Sequence, residues 1–171
     1  MKAQPPADSA KAHAAGTAER PADLALRSLV HAFGLIERVM QPYFARFGVT
    51  GSQWGVLRTL QRSEAAGEAG LRLTDLSNRL LVRPPSVTGV IDRLERLGLV
   101  ARDAVPGDLR AKSVTLTRKG RELVARVLAA HGPQVEGMLA GLNAGEQADL
   151  HQLLGKLTSH LEGLAAKRET E

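Results

Sequence analysis

Two consecutive prolines, Pro84 and Pro85, stand ahead of the segment SVTGVIDRLERL, and Gly98 follows it. A proline inside a helix loses a backbone hydrogen bond, but in the first turn the amides have no intrahelical partner. The pair therefore fixes a helix start. Gly98 supplies the stop. Between them Val87, Val90, Ile91, Leu94 and Leu97 recur at helical spacing, while Ser86, Gly89, Arg93 and Arg96 lie three and four apart on another side. The β-branched residues cost a few tenths of a kcal/mol each in helix propensity, against roughly 1.5 to 3 kcal/mol for burying such a side chain, so burial wins. Beyond Gly98, Val100 to Val105 and Lys112 to Thr117 are strand-like runs joined by PGDLRA, the turn chemistry of a β-hairpin.

Helices are expected on both sides of this unit. From Ala22 to about Phe47, Leu26, Leu29, Val30, Phe33, Ile36, Met40, Tyr43, Phe44 and Phe47 form a broad apolar stripe that Pro42 should kink. Thr50 and Gln53 have the spacing of a capping box opening a second helix, which stops near Ser63. After a loop over residues 64–70, Thr74 is expected to cap a short third helix. Downstream, Thr117 caps a helix that Gly132 and Pro133 should bend or break, and Asn143 with Glu146 opens the last one, marked by Leu150, Leu153, Leu154, Leu157, Leu161 and Leu164. The expected order is four helices, a hairpin and two further helices.

Composition narrows the class. Apolar residues make up 43% and charged residues 24%, ordinary for a globular chain with a core, while aromatics reach only 3%, so leucine and valine must fill it. With no cysteine, disulfides, thiolate zinc sites and thiol nucleophiles are excluded. Residues 1–21, rich in Ala and Pro, read as a flexible tail without a signal-type apolar segment, and no uncharged apolar run approaches 18 residues; a cytoplasmic protein with no membrane contact is expected. The net charge of +5 is unevenly placed: residues 72–121 hold 11 Lys plus Arg against 5 Asp plus Glu, whereas residues 122–171 hold 4 against 7. A basic middle between neutral and acidic ends is the electrostatic footprint of a nucleic-acid surface.

Two short helices followed at once by a hairpin form a helix-turn-helix with a β wing. A major groove about 12 Å wide admits a helix that buries one stripe in its own domain and offers the other to base edges. Ser86 and Thr88 sit where they reach bases or phosphates, and Arg93 and Arg96 where they clamp backbone. Arg110 near the hairpin tip suits a narrow minor groove, and Asp108 suits orienting an arginine through a salt bridge.

Thr50 with Gln53, then LTDLSNRLLV, PPSVTGVIDRLERLGLVAR and PGDLRAKSVTLTRKG, with long flanking helices, resemble the multiple-antibiotic-resistance regulator (MarR) family over about residues 24–165. The resemblance implies a mainly α fold with a small β-hairpin wing, in which a winged helix-turn-helix domain is carried by N- and C-terminal dimerisation helices. It also implies a homodimer on a pseudo-palindromic operator, released by a small aromatic or phenolic anion. The D-x-R wing motif is matched by Asp108 and Arg110, and the recognition-helix positions by Arg83 through Arg93, so that Arg83, Pro85, Ser86, Thr88, Gly89, Arg93, Arg96, Asp108, Arg110 and Lys112 are the expected DNA-binding residues. Gly89 and Leu109 stand where many members carry a basic residue, so an operator preference does not transfer from relatives. The expected effector pocket, between dimerisation helices and winged domain, draws on His31, Phe33, Met40, Trp54 and Arg58 for an apolar wall and a group to meet a carboxylate.

The domain plan is then a tail over 1–21, a dimerisation helix over 22–48, the DNA-binding domain over 49–117 and dimerisation helices over 118–171. The terminal helices are too apolar for a monomer to leave uncovered, and a twofold pair places two half-sites about 34 Å apart on one duplex face. An enzyme lacks support, since the five histidines form no HExxH pattern and neither G-x-S-x-G nor a P-loop occurs; no cofactor is expected. The alternative is a helical protein-interaction module whose winged domain binds protein.

Overall fold

The computed structural model describes residues 19–81, 84–105 and 108–169, without the side chains of 84–85, 104–105, 108–111 and 168–169. Its elements run α1 Pro21–Ala45, α2 Gly51–Ala65, β1 Leu71–Arg72, α3 Leu73–Leu80, α4 Pro84–Arg96, β2 Val100–Val105, β3 Asp108–Leu116, α5 Arg118–Ala129, α6 His131–Leu139 and α7 Ala144–Glu169. Local signals explain most of these boundaries. At the start of α2 the Gln53 amide donates to Thr50 Oγ1 at 3.3 Å while the Thr50 amide donates to Gln53 Oε1 at 2.8 Å, a closed capping box. Thr117 Oγ1 accepts the Gly120 amide at 3.0 Å to open α5, and Asn143 with Glu146 repeats the reciprocal cap at α7. Gly98, at φ +69°, ends α4 in a left-handed turn, with its amide on Glu95 O and the Leu99 amide on Leu94 O.

Four expectations are corrected. Thr74 does not cap α3: the helix starts at Leu73, and the Asp75 carboxylate accepts the Arg72 amide at 3.2 Å, a negative group favoured over the first turn. The helix break after α5 falls at Ala130, ahead of Gly132 and Pro133, which lie in the first turn of α6 where an amide donor is not needed. Among the described residues there are consequently seven helices instead of six. Leu97 lies beyond α4 and is 42% exposed, so it does not extend the buried stripe.

The wing also differs from expectation. β3 begins at Asp108, so Asp108 to Ala111, expected in the turn, belong to the strand, and the register slips between Ala104 and Val105, whose partners are Lys112 and Asp108. A third strand, β1, pairs with β3 in antiparallel register (Leu71 with Val114, Arg72 with Ser113) to give the order β1-β3-β2.

The chain divides into two units, Met1–Ile36 and Glu37–Glu171. In the first, the described part of α1 exposes Leu26, Val30 and Phe33, and Arg27 pairs with Glu19 at 2.6 Å. The second holds the core: Leu57, Leu76, Val87, Ile91, Leu94, Val114, Val124 and Val127 are closed to solvent within one cluster that Met40, Tyr43, Phe44 and Trp54 join. Tyr43 donates its hydroxyl to Val127 O at 2.7 Å, and its burial raises the phenol pKa against the opposing charge of Arg46. Val87, Ile91 and Leu94 thus anchor α4 with roughly 1.5 to 3 kcal/mol each of burial.

Candidate nucleic-acid interface

Because one side of α4 is consumed by the core, the opposite side is fixed in place and presented outward. Ser86, Thr88, Arg93 and Arg96 are exposed, and at Gly89 an added Cβ would meet nothing within 4 Å. The helix is roughly 20 Å long at the standard rise, enough to follow a groove across several base pairs. Arg96 donates from Nε to the Asp92 carbonyl at 3.3 Å, which holds the guanidinium along the last turn. Lys112 is exposed on β3.

Not every expected contact falls where it can be described. Arg83 lies outside the described residues, as do the side chains of Pro85, Asp108 and Arg110, although Pro85 is in the first turn of α4 and the other two are in β3. The ion pair expected of Asp108 is therefore outside the description too.

Charge along α4 is balanced: Arg93 and Arg96 against Asp92 and Glu95 leave the helix with none in excess. The balance is tipped from the wing by Arg102 on β2, which reaches Asp92 Oδ1 at 2.5 Å and Glu95 Oε2 at 2.7 Å while only 20% exposed. The end of α4 is held from α5 as well: Lys119 Nζ donates to Leu97 O at 2.8 Å and Thr117 Oγ1 to Gly98 O at 2.7 Å, so cationic and hydroxyl donors satisfy carbonyls left open past the helix end. Of these three residues only Thr117 stands out in the sequence, as a helix cap; Arg102 and Lys119 do not. The available signal is the Asp92/Glu95 pair at i, i+3, one helical face demanding a cation from elsewhere.

The residues expected to receive an effector separate. Met40 and Trp54 enter the core of the second unit, Trp54 stacking on Phe44 at 5.7 Å, and Arg58 is half-buried with its guanidinium on Gln61. His31 and Phe33 belong to the first unit and are exposed, Phe33 at 61%. A residue overlooked in the sequence, His131, brings its ring 6.0 Å from Trp54 and 5.9 Å from Tyr43, and its Nδ1 is buried without a hydrogen-bond partner among the described residues. No group of His, Cys, Asp and Glu among the described residues could hold a metal ion, and none of the described helices is long and apolar enough to cross a membrane.

Residues 47–111 match the model of the MarR family. The homoprotocatechuate degradative operon repressor of Escherichia coli is 29% identical over 131 residues, covering 77% of this chain and 82% of that protein. Among solved structures, a mutant of MarR from E. coli complexed with operator DNA superposes with a TM-score of 0.71 at 26% identity, over 78% of this chain and 94% of that one. BpsR of Bordetella bronchiseptica, whose DNA binding is regulated by 6-hydroxynicotinic acid, gives 0.70 at 27% identity, over 79% and 98%.

Proposed function

We propose that this chain, whose residues 47–111 match the model of the MarR family, is a transcriptional repressor that binds a pseudo-palindromic operator as a homodimer and is released by a small aromatic or phenolic anion. The observation that carries the reading is the division of α4 into a side closed to solvent at Val87, Ile91 and Leu94 and an outward side bearing Ser86, Thr88, Arg93 and Arg96. In this reading Ser86 and Thr88 read base edges, Arg93 and Arg96 grip phosphates, and the wing with Lys112 and Arg110 tracks the neighbouring minor groove, Asp108 orienting an arginine. That the similar E. coli protein was crystallised with operator DNA supports the DNA-binding reading.

Dimerisation is supported by α7, where Leu150, Leu154, Leu157, Leu161 and Leu164 are spaced four, three, four and three apart and all stand partly in solvent. That is the seam of a helix-to-helix contact, and a second copy would cover it. The effector reading rests on relatives that act on homoprotocatechuate degradation or respond to 6-hydroxynicotinic acid. Such an anion releases DNA only by binding one spacing of the two α4 helices better than the other.

Selection of duplexes from a random library, followed by salt titration of the winner, tests this. A repressor of this kind yields a two-half-site sequence and a steep fall of log affinity with log salt, because phosphate neutralisation releases counterions. A flat response, or no enrichment, overturns DNA binding and favours a protein-binding role for the winged domain. Repeating the binding with aromatic acids, read also through the emission of the lone Trp54, tests the effector.

A further inference from the structure

We propose that Arg102, outside the groups expected to touch DNA, is the positioning residue of the interface: it ties the wing to α4 and masks the two carboxylates that would otherwise meet phosphate. The inference rests on the DNA-binding reading of α4. Its guanidinium spans from β2 to both acidic residues of α4, with NH2 on Asp92 Oδ1 at 2.5 Å and NH1 on Glu95 Oε2 at 2.7 Å. Arg102 is 20% exposed, whereas Asp92 and Glu95 are 49% and 41% exposed. The cation is thus the sheltered member, and the carboxylates stand partly in solvent on the helix that carries Arg93 and Arg96.

Two consequences follow from that arrangement. Asp92 and Glu95 each adjoin an arginine assigned to phosphate, Arg93 and Arg96. Left bare, they would cancel those charges at the distance where phosphate attraction acts. Shared by one planar guanidinium, they have half of their charge offset without occupying Arg93 or Arg96, in a fork geometry that lysine does not reproduce. The same pairs fix the angle between α4 and the wing from one side, while Lys119 on Leu97 O and Thr117 on Gly98 O fix the helix end from another. Thr115 Oγ1, donating to Asp103 Oδ2 at 2.9 Å, stiffens the β2–β3 ladder at the residue next to Arg102.

The test compares Arg102→Gln, Arg102→Lys, Asp92→Asn/Glu95→Gln and the triple variant Arg102→Gln/Asp92→Asn/Glu95→Gln on the selected operator and on a random duplex, in the full-length protein. Arg102→Gln is expected to weaken operator binding by about tenfold, and Arg102→Lys to restore only part of it. Neutralising both carboxylates in the Arg102→Gln background should recover affinity for random duplex, with the salt slope of the parent, but not the operator-to-random ratio, because charge is repaired and the clamp is not. Full operator affinity in Arg102→Gln overturns the proposal. So does a loss that the triple variant leaves uncorrected on random duplex and that lowers the salt slope by about one, the mark of a direct phosphate contact. If Arg102→Gln proves unfolded by circular dichroism, Asp92→Asn/Glu95→Gln decides alone: a reduced operator-to-random ratio supports the clamp, and an unchanged ratio overturns it. Absence of DNA binding by the parent protein is a separate outcome and sinks the underlying reading.

Discussion

Gly89 occupies the middle of α4 on its outward side, where a helix interior ordinarily rejects glycine at a cost of about 1 kcal/mol relative to alanine. Nothing lies within 4 Å of where its Cβ would be. Gly89→Ala is therefore expected to raise stability by roughly 0.5 to 1 kcal/mol in urea denaturation at fixed protein concentration; a loss would mean that something packs over the site. Glu68 illustrates the opposite situation, a side chain held by charge. Arg79 at 2.8 Å, and then the hydroxyl of buried Ser63 at 2.9 Å, keep its carboxyl below the ordinary 4.5. A depressed carboxylate contributes stability that is present above its unfolded value and is lost as pH falls through its folded one. The thermal midpoint of the parent should thus drop below about pH 4.5, and Glu68→Gln, starting lower at neutral pH, should show a shallower acid slope. Parallel slopes would remove Glu68 from the account.

At the scale of elements, the junction of α4, β2 and α5 is the least forgiving part of the fold. A Cβ added at Gly120 would lie 2.1 Å from the Leu99 carbonyl oxygen, inside any permitted contact. That backbone group is already engaged, since Leu99 O accepts the Thr117 amide at 3.1 Å. Gly120→Ala must push α5 away from the end of α4, and it should cost about 3 kcal/mol despite the better helix propensity of alanine. Equal or greater stability on denaturation would refute the close approach. This junction also marks where the sequence stops being legible. The caps at Thr50, Thr117 and Asn143, the stop at Gly98 and the stripe on α4 are set by neighbours within one or two turns, so residue spacing reveals them. β1 is two residues whose partners lie some forty positions on, too short for any alternation to register. Arg102, Lys119 and His131 likewise acquire their roles from elements distant in sequence, and their residue type alone does not distinguish them from surface or packing side chains. The effector residues suffer most. Trp54 and Met40 satisfy core packing and ligand lining equally well by pattern, while His31 and Phe33 are exposed on the described part of α1.

For the whole molecule, the decisive quantity is the apolar surface a single copy leaves in water. Along α7, Leu150, Leu154, Leu157, Leu161 and Leu164 are between 38% and 52% exposed, and they lie in the acidic C-terminal part of the chain, outside the basic segment of residues 72–121. Burying such a seam in a second copy returns roughly 25 cal/mol for each Å² removed from water, whereas one carboxylate set into it must be desolvated without a partner. Leu157→Glu, at the centre of the row, should accordingly shift sedimentation from the mass of two chains to that of one at micromolar concentration. Operator affinity should fall with it by two orders of magnitude or more, roughly the gain available when a second half-site is engaged intramolecularly, while affinity for a single half-site stays near that of the parent. The coupling between the two measurements is what matters: a monomer that still binds the full operator as tightly would show that one copy of α4 suffices. An unshifted dimer would move the contact between copies away from α7.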